Sequence, residues 1–203
     1  MKKIAAVLAA AVSMAAGHAA AQVYFKGPVD VAGTGCGAGT YTLSGEGTDT
    51  LSILFSMYDA ADPPGNAESK MQRTSCSIAV PVHVPAGCQI SVITADWRGY
   101  SQGETELVRE YFFAGEQNSK QTYRPALPYE DYTRTDQLLY KTVRAAEDDM
   151  IFRINSSVHT LAAESYIAVD SADLHNTLLL HVSQESCSQQ GQSALPAILK
   201  LLL

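Results

Sequence analysis

The amino-acid sequence predicts an all-β domain: an antiparallel β-sandwich of immunoglobulin or jelly-roll type, cross-linked by disulfides, with at most one or two short helices. Three observations predict this fold. Apolar and polar residues alternate with a period of two, as in the run Leu51, Ile53, Phe55 and Met57, which is typical of a strand with one buried face. Turn clusters rich in Gly and Pro separate the runs. Four cysteines accompany a secretory leader, a combination typical of exported, disulfide-bonded domains.

Seven runs have the length expected of strands. They are residues 51–57, 78–84, 90–94, 106–113, 151–160, 166–171 and 177–183. Pro81 cannot donate a ladder hydrogen bond, so its run is expected to lie at a sheet edge or at a bulge. The turn residues 85–87 predict a hairpin between the second and third runs. The best helix candidates are short, at residues 138–146 and 194–203.

The N-terminus predicts a secretory signal peptide. Lys2 and Lys3 give it a positive start, and residues 4–16 form an apolar stretch that is too short to span a bilayer. Residues 19–21 are alanines, the small side chains that signal peptidase needs before its cleavage site. We therefore expect cleavage before Gln22, a secreted or periplasmic protein, and no transmembrane segment.

The predicted chain has three parts: a signal peptide at residues 1–21, one β-sandwich domain at 22–187, and a polar linker with an apolar C-terminal tail at 188–203. The full chain of 203 residues has 14 basic and 21 acidic side chains, a net charge of −7. Without the two leader lysines, 12 basic and 21 acidic residues remain, a net charge of −9. This balance argues against binding to nucleic acid or to an anionic membrane. The tail is expected to dock on the domain, to self-associate or to contact lipid.

The cysteines predict two disulfides. Cys36, Cys76, Cys88 and Cys187 are an even set in a chain that is expected to enter an oxidising compartment. None of them forms the close CxxC pair that a zinc site uses. Four cysteines allow three connectivities, and the residues alone do not choose among them.

One short cluster is the main candidate for ligand binding. Asp96, Trp97, Arg98 and Tyr100 combine the one tryptophan of the chain with a carboxylate, a planar cation and a phenol, groups that stack on sugars and hydrogen-bond to polar rims. This hypothesis predicts that Trp97, Arg98 and Tyr100 are partly exposed around one concavity. The alternative is that Trp97 is a core residue at a strand end and that Arg98 pairs with Asp96.

A second candidate surface is rich in tyrosine. Tyr123, Tyr129 and Tyr132 surround the segment Arg124-Pro125-Ala126-Leu127-Pro128, a composition typical of a recognition loop. The alternative is an irregular connection that is held to the sheet by tyrosines whose hydroxyls remain in contact with water.

No motif assigns a catalytic residue, a metal site or a cofactor. The sequence has no GxSxG elbow and no HExxH pair. Several carboxylates fall in or near predicted loops without the spacing of an EF-hand, so we interpret them as a solvated acidic surface. They are Asp59, Asp62, Glu68, Asp148, Asp149, Asp170 and Asp173.

Several short blocks of residues, in a fixed order, resemble one family. The blocks are Gly33-Thr34-Gly35-Cys36-Gly37-Ala38-Gly39, Leu51-Ser52-Ile53-Leu54-Phe55 with Tyr58, Ser75-Cys76, Val84-Pro85-Ala86-Gly87, Asp96-Trp97-Arg98-Gly99-Tyr100, Tyr111-Phe112-Phe113-Ala114-Gly115 and Asp170-Ser171-Ala172-Asp173, with a last strand that closes on Cys187. The chain resembles the secreted proteins grouped as domain of unknown function 4360. The resemblance implies a secreted, disulfide-bonded, β-rich domain with no established activity.

The same resemblance implies a disulfide pairing. Family members carry a cysteine near the position of residues 145–148, where this chain has none, and this chain has Cys88 instead. The simplest consequence is that Cys187 changes its partner. The implied bridges are then Cys36–Cys76 and Cys88–Cys187.

Three functional hypotheses follow. The first is an extracellular or periplasmic binding module for a carbohydrate or another cell-surface ligand. The second is a structural envelope or matrix component that self-associates through an edge strand or through the apolar tail. The third is a hydrolase in which carboxylates converge in space, although no local motif supports an enzyme. A sandwich fold alone does not decide among them.

Overall fold

A computed structural model of the protein describes residues 22–62, 71–113, 118–139, 148–169 and 178–185; for residues 91, 148 and 178–185 it describes the backbone alone. These residues form strands and connecting loops, with no helix among them. The strands are β1 (Tyr24–Phe25), β2 (Asp30–Ala32), β3 (Tyr41–Ser44), β4 (Thr50–Phe55), β5 (Asp59–Ala61), β6 (Arg73–Val84), β7 (Gln89–Gln102), β8 (Thr105–Phe113), β9 (Ser119–Tyr123), β10 (Tyr129–Leu139), β11 (Asp148–Thr160), β12 (Tyr166–Ala168) and β13 (Leu178–Glu185).

The strands form two antiparallel sheets. The first sheet has the order β1-β6-β11-β8-β9, and β2 also pairs with β6. The second sheet has the order β3-β4-β13-β7-β12-β5, and β10 also pairs with β7. Alternate residues of both sheets enter one apolar core, which holds Phe152 and Tyr111 from the first sheet and Ile53 and Trp97 from the second. The all-β, sandwich-like fold predicted from the sequence is confirmed.

Each predicted run overlaps a strand of the structure, although residues 56–57 lie beyond the end of β4 and residues 170, 171 and 177 lie outside the described part. The predicted hairpin between β6 and β7 is wrong. These two strands lie in different sheets. The turn forms where the sequence predicts it, with the Cys88 amide donating to the Pro85 carbonyl at 3.0 Å. Each strand already has neighbours on both sides, β6 between β11 and the β1 and β2 segments, and β7 between β10 and the β13 and β12 segments. The turn therefore carries the chain from one sheet to the other.

Pro81 does not mark an edge strand. β6 pairs with β11 on one side and with β1 and β2 on the other. The Pro81 carbonyl accepts a hydrogen bond from the Lys26 amide at 2.7 Å, between the end of β1 and the start of β2. Because the N–H and C=O groups of one residue in an antiparallel strand point to the same side, the nitrogen of Pro81 faces this break. The missing donor thus costs no bond to β11.

The predicted helix at residues 138–146 is wrong where the structure describes it. Leu138 and Leu139 are the last residues of β10, and residues 140–147 lie outside the described part. The sequence does not predict β10, because most of its residues are polar and only Tyr132, Asp136 and Leu138 are buried. The second predicted helix and the tail at residues 188–203 also lie outside the described residues.

One of the implied disulfides is confirmed. Cys36 and Cys76 are bonded, with their Cα atoms 5.5 Å apart and a sequence separation of 40. Cys88 is also disulfide-bonded. Cys187, its implied partner, lies outside the described residues.

Candidate functional site

The strand β7 carries the predicted ligand-binding cluster and divides it between two faces. Trp97 points into the core with 0% of its surface exposed, and its indole Nε1 donates to the Tyr111 hydroxyl at 2.6 Å. The expectation that Trp97 is partly exposed beside a ligand is therefore wrong. The physical reason is the period of two: Ile93, Ala95 and Trp97 share one face, and that face is buried. Trp97 is a core residue, as in the alternative interpretation.

The other three residues of the cluster lie on the outer face of β7. Asp96, Arg98 and Tyr100 alternate with the buried residues and are half-buried. The Thr135 hydroxyl of β10 donates a hydrogen bond to Asp96 Oδ1. Tyr100 approaches Tyr166 of β12, with ring centroids 6.3 Å apart. The structure thus places these three predicted residues on one surface, without Trp97.

A row of outward side chains crosses the end of β7. In the register of the sheet, Gln102 lies opposite Tyr129 of β10 on one side and opposite Tyr166 of β12 on the other. Directly paired residues project to the same face, so the three side chains share the outer face with Tyr100. Tyr129 is 63% exposed. We call Tyr100, Gln102, Tyr129 and Tyr166 the tyrosine face.

A groove of 380 Å³ adjoins the tyrosine face. Its walls are the β7–β8 turn at residues 103–105, the loop at residues 124–128, and Leu161. The turn directly follows Gln102, the loop directly precedes Tyr129, and the Gly103 amide donates to the Pro128 carbonyl at 2.9 Å. The turn requires glycine at residue 103, where φ is +72° and an added Cβ would lie 2.6 Å from the Ser165 hydroxyl.

The groove combines charged and apolar groups. The Arg124 Nε donates to Glu106 Oε2 at 2.8 Å, and the arginine side chain remains 68% exposed. Leu127 is 59% exposed beside Pro125 and Pro128. A ligand in this groove can therefore meet an apolar surface, the Arg124 guanidinium and the carboxylate of Glu104.

The tyrosines around this loop have different roles. Tyr129 is exposed, whereas Tyr123 and Tyr132 are buried. The Tyr132 hydroxyl donates to the Ala168 carbonyl at 2.8 Å, and burial raises its pKa. The guanidinium of Arg134 lies 3.8 Å from the centre of the Tyr123 ring. The alternative, in which the tyrosine hydroxyls remain in contact with water, is therefore wrong for Tyr132. Tyr129 is the one of these three tyrosines that a ligand can reach.

The two candidate surfaces predicted from the sequence converge at one end of β7. Tyr100 comes from the first and Tyr129 from the second, and the register of β7 with β10 places them near each other. Sequence reasoning did not identify Gln102 and Tyr166 as site residues. Tyr166 begins a predicted strand run, but Gln102 lies between two predicted runs, so no local signal marks it as a site residue.

The described residues provide neither a cluster of metal ligands nor a transmembrane helix. Within residues 22–62, 71–113, 118–139, 148–169 and 178–185, no three His, Cys, Asp or Glu side chains are grouped closely enough to hold a metal ion. The same part of the chain has no helix with the length and apolarity needed to cross a bilayer.

A family model for the domain of unknown function DUF4360 matches residues 26–187. The chain belongs to this family. The resemblance seen in the sequence is thereby confirmed. A protein of Arthroderma benhamiae, described as an uncharacterized secreted protein, is 28% identical over 173 residues, which cover 79% of this chain and 70% of the relative.

Solved structures with some similarity to this chain share little sequence with it. TmCBM61 in complex with beta-1,4-galactotriose has a TM-score of 0.38 and 11% identity, with 78% of this chain and 89% of that chain covered. The C-terminal family 22 carbohydrate binding module of Clostridium thermocellum Xyn10B has a TM-score of 0.18 and 12% identity, with 77% and 92% covered. The enzymatically active domain of bacteriophage CBA120 tailspike protein 4 has a TM-score of 0.25 and 10% identity, with 76% and 19% covered. Similarity at this level does not assign a ligand to this chain.

Proposed function

We propose that the mature protein is an exported glycan-binding module and that its ligand lies on the tyrosine face and in the adjoining groove. The observation that carries this proposal is the row Tyr129, Gln102 and Tyr166, in register across three strands beside a 380 Å³ groove. A sugar ring has an apolar C–H face and a rim of hydroxyls. Tyrosine rings offer an apolar surface with a polar edge, and the amide of Gln102 both donates and accepts hydrogen bonds.

The remaining predicted residues extend this surface along β7. Asp96 accepts from Thr135 through Oδ1, and its carboxylate has further lone pairs for a sugar hydroxyl. Arg98 projects to the same face and lies opposite Thr133 of β10. We assign Asp96, Arg98 and Tyr100 to ligand binding. Trp97 has a supporting role, because it anchors β7 to the core from the other face.

The rigidity of the sheet favours ligand binding on the tyrosine face. The three strands of the tyrosine face hold each other through backbone hydrogen bonds, so their outer side chains keep a fixed spacing without a ligand. A site that is preformed loses less conformational entropy when a ligand binds. The loop at residues 124–128 forms one wall of the groove beside this rigid surface.

Export is the second part of the proposal. The leader at residues 1–21 is the signal, and the domain at 22–187 acts in the periplasm or outside the cell. The Arthroderma benhamiae relative, described as secreted, agrees with this compartment. An extracellular glycan is a ligand that such a protein meets.

The test is a glycan-array screen of mature protein, residues 22–203, followed by calorimetric titration of the best ligand. We expect at least one glycan class to bind and Tyr129→Ala to weaken it by about tenfold, the loss typical of one aromatic contact. Leu139→Ala is the matched control, because Leu139 lies on the same outer face at the other end of β10 and is 73% exposed. No binding to any glycan, or equal affinity of the Tyr129→Ala protein, would overturn the proposal.

A further inference from the structure

The outer face of the first sheet carries a second groove, on the opposite side of the sandwich from the tyrosine face. Two adjoining cavities of 260 and 200 Å³ share Asn155 of β11. Their walls come from β2, β6, β8, β9 and β11, so the groove runs across most of the sheet. We call it the arginine groove, because Arg73 lines its first cavity and Arg153 lines its second.

Arg73 and Arg153 are arginines of this groove whose guanidinium groups are available to bind a ligand. Both are exposed, and neither has an ion pair with any other described residue. Asp30 lines the same cavity as Arg153 without pairing with it. In contrast, Lys120 lies 3.7 Å from Glu110, and Arg124 bonds to Glu106 at 2.8 Å. The groove therefore presents two guanidinium groups without a protein partner in the described part of the chain.

The two arginines stand at separate points along the groove. Arg73 of β6 lies opposite His159 of β11, and Arg153 lies six residues earlier on β11. At about 3.3 Å per residue the two positions are roughly 20 Å apart. Asn155 lies between them, and its Oδ1 accepts from the Ser77 hydroxyl at 2.9 Å, so its amide N–H groups remain free to donate to a ligand.

We propose that the arginine groove binds a linear acidic polysaccharide, with sugar carboxylates at Arg73 and Arg153 and sugar hydroxyls at Asn155 and Glu110. Guanidinium groups bind carboxylates through paired charge-assisted hydrogen bonds. The carboxylates of Glu106 and Glu110 accept hydrogen bonds but cannot donate them, so they suit a ligand that is rich in hydroxyls.

The arginine groove and the tyrosine face are independent sites. They lie on different sheets and share no residue, so the failure of one proposal leaves the other intact. Two sites of this kind on one domain would allow the protein to hold two glycan chains together.

The experiment compares polygalacturonate with the same polymer after chemical reduction of its carboxyl groups, using mature protein at low ionic strength. We expect the acidic polymer to bind at least about tenfold more tightly than the reduced one, and Arg73→Gln and Arg153→Gln each to weaken it by about fivefold. Arg134→Gln is the control, because it removes the same charge from an exposed arginine of β10. Thermal melting checks that each variant is folded.

Three results would overturn the proposal. Equal binding of the reduced polymer would show that the ligand charge is not recognised. An equal loss in the Arg134→Gln protein would show that only the net charge matters. Single-stranded DNA that binds as tightly as polygalacturonate would show a general polyanion surface. Tyr129 does not line the arginine groove, so a loss of affinity in the Arg73→Gln and Arg153→Gln proteins tests this proposal, whereas a loss in the Tyr129→Ala protein tests the proposed function.

Discussion

Arg109 of β8 and Asp136 of β10 form a bidentate ion pair inside the sandwich. Arg109 Nε lies 2.7 Å from Asp136 Oδ2, and Arg109 Nη2 lies 3.0 Å from Asp136 Oδ1. The Tyr111 hydroxyl donates to the same carboxylate, and the Trp97 indole donates to Tyr111. The network joins β8 of the first sheet to β7 and β10 of the second. A buried charge without its partner is costly in free energy, so this pair fixes the position of one sheet relative to the other.

The titration behaviour of the network follows from this geometry. Burial alone lowers the pKa of Arg109, and the hydrogen bond and charge of Asp136 more than reverse that effect, so its pKa is raised. Burial and the neighbouring Asp136 carboxylate raise the pKa of Tyr111. Arg109 therefore stays charged and Tyr111 stays neutral throughout the ordinary pH range.

The first prediction concerns this ion pair. Asp136→Asn leaves the buried guanidinium of Arg109 without its counter-charge, and we expect the free energy of unfolding to fall by about 3–5 kcal/mol. The double variant Arg109→Met with Asp136→Leu removes both charges and should lose less stability than the single variant. Urea unfolding measures both. A double variant that is less stable than Asp136→Asn would contradict the account.

The second prediction concerns Trp97, whose burial separates a structural role from a ligand-binding one. Trp97→Phe keeps an aromatic ring in the core but removes the bond to Tyr111, so we expect a loss of about 1–3 kcal/mol from the hydrogen bond and the remaining cavity. Glycan affinity should stay within about twofold, because the indole does not reach the surface. Unfolding and titration of one preparation give both values. Normal stability with lost affinity would place Trp97 in contact with the ligand.

The sequence predicts the strands of this fold better than their arrangement. Alternation identifies a strand wherever one face is apolar, as for β8, whose buried and half-buried residues alternate without interruption. It misses β10, which buries Tyr132 and the charged Asp136 on its inner face. A local turn such as residues 85–87 predicts that the chain reverses, but it does not decide which sheet receives the next strand.

The candidate site shows the same division. The inward orientation of Trp97 could be predicted from the sequence, because Ile93 and Ala95 place it on the apolar face of its own strand. The tyrosine face could not be predicted from the sequence, because the position of Tyr166 beside Gln102 depends on the register of two strands that are distant in sequence. The ion pair of Arg109 with Asp136 depends on the packing of two sheets, which no local pattern contains.

The third prediction concerns the disulfides. Peptide mapping of the exported protein without reduction should recover Cys36 linked to Cys76, as in the structure, and Cys88 linked to Cys187. The first bridge closes a loop of 40 residues, and its removal by paired Cys→Ala substitutions should cost about 4 kcal/mol through the entropy of the unfolded chain. A peptide that links Cys36 to Cys187 would contradict the assignment.

The fourth prediction concerns the pH dependence of stability. Burial and the nearby Arg73 lower the pKa of His159, Lys120 acts in the same direction, and Glu106 opposes them. The unfolded chain takes up this proton near the ordinary value of about 6.5, so it binds more protons than the folded chain just below that pH. The contribution of His159 to stability is therefore complete above about pH 6.5 and is lost as the pH falls toward the lower folded value.

His159→Gln isolates this effect, because glutamine does not titrate and can still bond to the Ser157 hydroxyl, which lies 2.7 Å from His159 Nε2. Urea unfolding at several pH values between about 7 and 5 should show a smaller decline for the variant than for the natural protein. Identical declines would mean that His159 does not carry this proton linkage.

The most direct test of the central claim, that the tyrosine face binds a glycan, is a chemical-shift titration of the isotope-labelled mature protein with the best array ligand. We expect the largest amide shifts at Tyr100, Gln102, Tyr129 and Tyr166 and along the loop at residues 124–128, with little change at Leu139. Shifts that are confined to other surfaces, or the absence of any saturable shift, would contradict the account.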